Sequence, residues 1–395
     1  MMKKMLFMMM LICYAAAAQG QSMYDTALEE IEKNSTAIKA YLGLRDAEMI
    51  ENATGITPDD PEVGFDYIWG RPGAAGNNIN VSLSQSFDFP SVYTGRNKRT
   101  KLKNEATEFA FLNRRMEVLL TAKKLLIELV YYNALKEEYI RQTEYARAII
   151  ETQKKKDSSE RCRNTDYSKS FLNLTNMEAE LKRIEIERGR IHANLARLNG
   201  DIAIEFNASE FEDILLPAQF DEWFEIAESR HPLLQHLRTQ IQERKQNIKV
   251  ARAEHLPEIT IGYSGSFVPG ETERHQGLTV GLTIPIWEDR NKVKLAKAQA
   301  LAAEYLAEDE AVRYYNKLKY QYRQALSLQE SAGRYEKALE NQDNSRILFE
   351  SYRKGELSLL AYLLEVEYFL VSYEKYLKTE MDLALSVAEL EAYDL

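Results

Sequence analysis

Four short segments of this chain alternate apolar and polar residues with a period of two. In the first, Val63, Phe65, Tyr67 and Trp69 share a face opposite Gly64, Asp66 and Ile68. In the second, Ile79, Val81, Leu83, Phe87 and Phe89 oppose Asn80, Ser82, Ser84, Ser86 and Asp88. The third sets Ile259, Ile261, Tyr263 and Phe267 against Thr260, Gly262, Ser264 and Ser266, and the fourth sets Leu278, Val280, Leu282, Ile284 and Ile286 against Thr279, Gly281 and Thr283. Gln85 and Gly265 are the gaps in the apolar faces. This alternation predicts four strands, each with one apolar face. The glycine- and proline-bearing links, Arg71 to Asn78 and Val268 to Gln276, read as exposed loops.

Elsewhere the rhythm is helical. No proline falls between Ser91 and Leu216 or after Pro285, and no glycine or proline falls between Gly95 and Gly189. Ordinary helices run about 8–20 residues, so these stretches predict very long ones. An unbroken helix from Arg290 to Lys354 would reach roughly 95 Å. Leu359, Leu363, Val366, Leu370, Tyr373 and Leu377 keep the alternating three-four spacing of a coiled-coil seam. Leu174, Met177, Leu181, Ile184, Ile191, Leu195 and Leu198 do the same with one step missing at Arg188, and the outgoing helix offers Leu112, Met116, Leu119, Ala122, Leu126 and Leu129. Alanines and tyrosines spread around the helix after Arg290, including Ala296, Ala300, Ala303, Tyr314 and Tyr322, suit packing on two sides.

The halves echo each other at a spacing of about 195 residues. PEVGFDY at Pro61 returns as PEITIGY at Pro257, VSLSQSF at Val81 as VGLTIPI at Val280, and RNK at Arg96 as RNK at Arg290. An amphipathic helix precedes each strand pair, from Tyr24 to about Ile50 and from Asp221 to about Glu254. The division expected is a signal peptide over 1–18, a first repeat over 19–200, a connecting segment over 201–220 and a second repeat over 221–395. Each long helical pair needs a turn. In the second, Gly355 supplies a left-handed helix end and Ser358 caps the next helix. In the first, Asn164 holds the equivalent place, with Thr165 or Asp166 as cap.

A four-stranded sheet packed on a soluble core is the common reading of such strands. Three features favour a membrane wall instead: small hydroxylated polar faces, aromatics near strand ends (Tyr67, Trp69, Phe87, Phe89, Trp287), and strands about as long as a tilted membrane strand. Four strands cannot close a barrel, and open edges in lipid would leave backbone groups unpaired. The membrane reading therefore requires further copies of the chain.

Composition narrows the classes. Lys3 and Lys4, the apolar run Met5–Tyr14 and Ala15–Ala18 form a secretory signal pattern. Cys13 raises lipidation, but Ile12 stands where lipoprotein processing wants a small residue. After cleavage Cys162 is the one cysteine left, so neither an intrachain disulfide nor a thiolate metal site is expected. Loss of two lysines from a chain of net charge −10 leaves about −12, which argues against nucleic acid as a partner. No window is apolar enough for a transmembrane helix. His231 and His236 stand five apart and would point about 140° from each other on a helix, a poor metal pair; His192, His255 and His275 are scattered. With no phosphate loop and no nucleophile elbow, no catalytic, cofactor-binding or metal-binding residue is assigned, and no enzyme activity is expected. Asp157, Glu160 and Asp166 could ring an entrance acidic to cations, or could simply be solvated.

The helix–strand–strand–long-helix repeat, the two RNK helix starts and the Tyr352…Gly355…Ser358-Leu359-Leu360 turn resemble the TolC family of outer-membrane efflux proteins, most closely its heavy-metal branch. The resemblance implies a mainly α fold with membrane β. A two-fold repeat of long helical hairpins and β-hairpins would trimerise into a twelve-strand barrel continued by a helical tunnel in the periplasm. It implies a passive exit duct for small molecules or metal ions in the outer membrane of a Gram-negative-type cell. Its partners would be outer-membrane lipid, two further copies in a homotrimer, a periplasmic adaptor and an inner-membrane pump. Gly355, Leu357, Ser358, Asn164, Thr165 and Asp166 match the family's adaptor-docking tip. The rival class is a periplasmic coiled-coil adaptor or scaffold, which would normally carry one helical hairpin where this chain has two.

Overall fold

The computed structural model describes residues 22–70, 76–156, 165–269, 274–285, 287, 291–339 and 344–395. The signal segment, Cys13, Asp157, Glu160, Cys162, Asn164 and Arg290 lie outside the described residues. The elements run α1 (Asp25–Asn34), α2 (Thr36–Asn52), β1 (Glu62–Ile68), β2 (Asn78–Phe87), α3 (Pro90–Lys156) and α4 (Thr165–Leu198). They repeat as α5 (Phe220–Arg230), α6 (Pro232–Ala253), β3 (Glu258–Phe267), β4 (Arg274–Thr283), α7 (Lys292–Leu339), α8 (Asn344–Lys354) and α9 (Leu359–Leu390), closed by a 3₁₀ turn over Ala392–Asp394. The repeat is thus helix, helix, strand, strand, long helix, return helix, twice over. No helix among the described residues is long and apolar enough to cross a membrane.

Each expected upstream helix is two helices. His231 breaks the second at φ −63°, ψ 120°, because the ring of Pro232 disfavours the helical region for the residue before it. Ser35 breaks the first at φ −53°, ψ 119° with no proline after it. Its hydroxyl accepts from the Ile38 backbone N–H at 3.5 Å, the bond of a helix N-cap. The two halves therefore kink at matching places by different chemistry. The fourth strand starts at Arg274 and ends at Thr283, several residues earlier than its apolar alternation suggests, since backbone pairing to Phe267 and Ser266 extends it. The long helix after Asn291 is described as α7 and α8, with 340–343 between them outside the described residues.

The chain forms two compact units. One comprises residues up to Lys39, Arg115–Phe224 and Asn316–Leu395; the other comprises Ala40–Arg114 and Glu225–Tyr315. In the first, the seams anticipated from spacing are buried: Met116, Leu119, Ala122, Leu126 and Leu129 on α3, Ile184, Ile191 and Leu195 on α4, and Val366, Leu370 and Leu377 on α9. Ile127, Val130 and Leu135 are buried too, so mid-α3 is packed on more than one side. Residues 199–219 form neither helix nor strand and cross the helices as a strap. Gly200, in the left-handed region at φ +69°, starts the strap; a Cβ there would sit 2.8 Å from the Asn34 carbonyl oxygen. The strap is held by side chains donating to its carbonyls: Asn133 to Ala208 at 2.9 Å, Gln329 to Ile214 at 3.0 Å and Tyr322 to Pro217 at 2.6 Å. This satisfies backbone acceptors that no ladder reaches.

The second unit holds an antiparallel sheet in the order β1-β2-β3-β4, so both hairpins and the junction between the repeats pair in sequence.

Candidate functional site

The sheet register sorts side chains into two faces. Val63, Leu83, Tyr263 and Leu278 form one cross-strand row; Tyr67, Ile79 and Phe267 begin another; Phe87, Ile259 and Leu282 form a third. These rows share one face with Phe65 and Val280, and much of it stands open: Val63 is 73% exposed, Phe65 66%, Leu278 83% and Val280 74%. Burying them would return roughly 25 cal/mol per Å², so such a face does not stay in water without reason. The opposite face carries Gly64, Ser82, Ser264 and Gly277 in one row, and Asp66, Asn80, Ser266 and His275 in another. Ser86 and Thr260 share a hydrogen bond at 2.9 Å across it, and Ser266 donates to Asn78 at 2.9 Å. Small hydroxyl groups that bond each other leave that side wettable.

From Ile79 to Phe87 the apolar band extends about 26 Å along the strand at about 3.3 Å per residue, which at a tilt of about 40° covers roughly 20 Å of the ~25 Å girdle of a membrane barrel. Aromatics mark both ends. Tyr67 and Trp69 meet edge to face at 5.6 Å where the hairpins turn, and Phe87, Phe89 and Trp287 lie at the end from which the long helices depart. β1 and β4 each have one neighbour, so two outer edges have no partner strand in the described sheet.

At the far end of the second helical pair, Gly355 takes φ +79°, and nothing lies within 4 Å of where a Cβ would stand. Its N–H bonds the Tyr352 carbonyl at 3.0 Å, and the Glu356 N–H bonds the Ser351 carbonyl at 2.9 Å. These two bonds define a Schellman ending. Ser358 then caps α9, accepting from the Ala361 N–H at 3.2 Å. Leu357, one residue before the cap, packs on the cluster of Ile149, Leu359, Tyr362, Val366 and Leu370, a hydrophobic staple. Gln153 of α3 donates to the Tyr352 hydroxyl at 2.7 Å, which joins the end of the first hairpin to the second. Burial raises the Tyr352 phenol above its usual range; the Gln153 bond opposes this and the nearby Asp166 carboxylate adds to it. Of the tip residues expected from sequence, Gly355, Leu357 and Ser358 form one turn. Thr165 opens α4, Asp166 stands exposed in its first turn near Tyr352, and Asn164 is outside the described residues.

The histidines have local roles. His236 Nδ1 is 2.8 Å from the Ala106 carbonyl, His255 Nδ1 is 2.8 Å from the Ala251 carbonyl, and the His231 ring lies 4.3 Å from that of Tyr314. No group of three or more potential metal ligands occurs among the described residues. Spacing gave no sign of a carboxylate clasp on the helices. Glu389 of α9 accepts from Lys124 of α3 at 2.5 Å, from Lys317 of α7 at 3.0 Å and from Gln321. Burial opposes its ionisation, but the bonds from Lys124, Lys317 and Gln321 outweigh it and bring the carboxyl to about 2.

Residues 223–355 match the family model described as outer membrane efflux protein. Three solved structures of similar fold are the outer-membrane channel OprN, the CmeC outer membrane channel of Campylobacter jejuni, and CusC, described as forming a transmembrane channel. OprN is 13% identical with a TM-score of 0.73, covering 94% of this chain and 89% of that one. CmeC is 15% identical at 0.73, covering 94% and 85%. CusC is 15% identical at 0.73, covering 94% and 91%. No curated protein matches by sequence. Residues 223–355 are thus similar to the outer membrane efflux proteins, and the whole chain has the fold of these channel structures.

Proposed function

We propose that three copies of this chain close one twelve-strand barrel and form a passive duct. Solutes would be delivered by an inner-membrane pump through a periplasmic adaptor. The observation that carries this is the sheet: an exposed apolar face, a wettable opposite face and two unpartnered edges. Each edge in hydrocarbon would cost several kcal/mol per unpaired backbone group. Three sheets joined edge to edge remove every edge and reach a strand number typical of membrane barrels. Exposed apolar residues on the helices support the same assembly: Tyr305, Leu306, Val312 and Tyr320 on α7, and Leu360, Leu364, Tyr368 and Val371 on α9. A ring of helices from three chains would cover them.

Within this assembly the repeats divide at 19–200 and 221–395, with 201–220 as the equatorial strap and 1–18 as the removed signal. The turn at Gly355, Leu357 and Ser358 is the adaptor-docking tip, with Asn164, Thr165 and Asp166 as its counterpart from the first repeat. The Schellman turn supports this role, because it presents a rigid convex end held by the Tyr352 cluster. Fractionation followed by mass measurement tests the proposal. The protein should sediment with outer membranes, require detergent and run as a trimer. A stable monomer released into detergent-free buffer by osmotic shock refutes it.

A further inference from the structure

Where β4 ends, a cavity of about 630 Å³ opens between the sheet and the starts of the long helices. Its charged lining is Asp88, Arg96, Glu254, Glu258 and Lys292. Arg96 is already shared between Asp88 at 2.7 Å and Glu254 at 3.0 Å. The Glu258 side chain has no hydrogen-bond or ionic partner among the described residues. Among the described lining residues carboxylates thus outnumber cations, three to two, and the site is complementary to a cation that can donate hydrogen bonds. Its apolar lining includes Ile284 and Trp287, 62% and 79% exposed, which continue the open column of Leu278, Val280 and Leu282 on the lipid-facing side of β4. A tryptophan at such a junction sits at headgroup depth.

We propose that this cavity holds the headgroup of a phosphatidylethanolamine from the periplasmic leaflet. Its primary ammonium donates to Glu258, and its acyl chains run along Leu282, Ile284 and Trp287. An anionic headgroup meets the carboxylate excess, and a choline headgroup has no N–H to donate. The inference rests on the sheet being a membrane wall, through the continuity of the cavity with its apolar face.

The test is reconstitution of the full chain into vesicles of equal parts phosphatidylethanolamine, phosphatidylcholine and phosphatidylglycerol. Detergent extraction and mass spectrometry of the assembled particle then count the lipids retained. Phosphatidylethanolamine should be enriched about fivefold over either competitor, as one charge-assisted hydrogen bond allows. Glu258→Gln should bring the ratio to about one, Glu258→Asp should restore part of it, and Trp287→Ala should lower retention of all three lipids. Lys294→Ala, an exposed lysine outside the cavity, should change nothing. Equal retention by the wild type, a preference for phosphatidylglycerol, or enrichment that survives Glu258→Gln overturns the proposal. Particle mass checks that each variant assembles. A protein that never enters the vesicles refutes the membrane reading itself, whereas an inserted but unselective one refutes only the lipid site.

Discussion

Replacing Glu389 by glutamine keeps the shape of the clasp and removes its charge. In the wild type, one carboxylate ties α3, α7 and α9 together through Lys124, Lys317 and Gln321. A fall from an ordinary 4.5 to about 2 corresponds to a ceiling of about 3.5 kcal/mol, at about 1.4 kcal/mol for each pH unit. Lys317 is well exposed, so solvent screening reduces the realistic loss at neutral pH to about 2 kcal/mol. The folded value lies below the unfolded one, so the carboxylate contributes fully above about pH 4.5, and the contribution drains away as pH falls toward 2. Thermal unfolding of the detergent-solubilised protein and of Glu389→Gln at pH 7, 4 and 3 measures this. The wild type should melt several degrees higher at pH 7, and the gap should narrow at each step down. Equal midpoints at pH 7, or a gap that widens in acid, would show that the clasp contributes no net stability.

Glu380 should behave in the opposite sense. Burial, with Glu336 and Asp213 nearby, raises its carboxyl, so ionised Glu380 works against the fold and Glu380→Gln should melt higher at pH 7, an advantage that vanishes as pH falls and the wild-type group protonates. Gly355→Leu places a side chain in a left-handed conformation at a cost of about 1–2 kcal/mol, confined to the tip. The trimer should still form while tolerance of pumped compounds is lost, and unchanged tolerance counts against the docking role. Val280→Lys puts a charge on the lipid-facing side, where it costs about 2–4 kcal/mol at mid-bilayer, whereas Ser264→Lys on the opposite face should be tolerated. Detergent-resistant trimer on a gel should fall for the first and persist for the second; equal effects would mean the faces are assigned wrongly.

The faces of the sheet could be read from alternation because a strand repeats every two residues and so exposes its environment locally. The start of β4 could not. Arg274, His275 and Gln276 carry no apolar period, and only pairing with β3 makes them strand. The break at His231 has a local cause in Pro232, although one helix was expected across it; that at Ser35 depends on a side chain bonding three residues on, which many helical serines do not do. At the tip, Gly355 and Ser358 announced the turn, but the Gln153–Tyr352 bond spans 199 residues and has no local signature. The donors that hold the strap, Asn133, Tyr322 and Gln329, are ordinary polar positions on helices, with no local mark of that role.

The two bare strand margins have a genetic consequence. A copy that folds its helices correctly but carries a faulty margin would still be recruited, and it would leave a seam open in any ring that accepts it. Co-expressed with the normal gene, such an allele should act dominantly, because most mixed rings would contain at least one defective member.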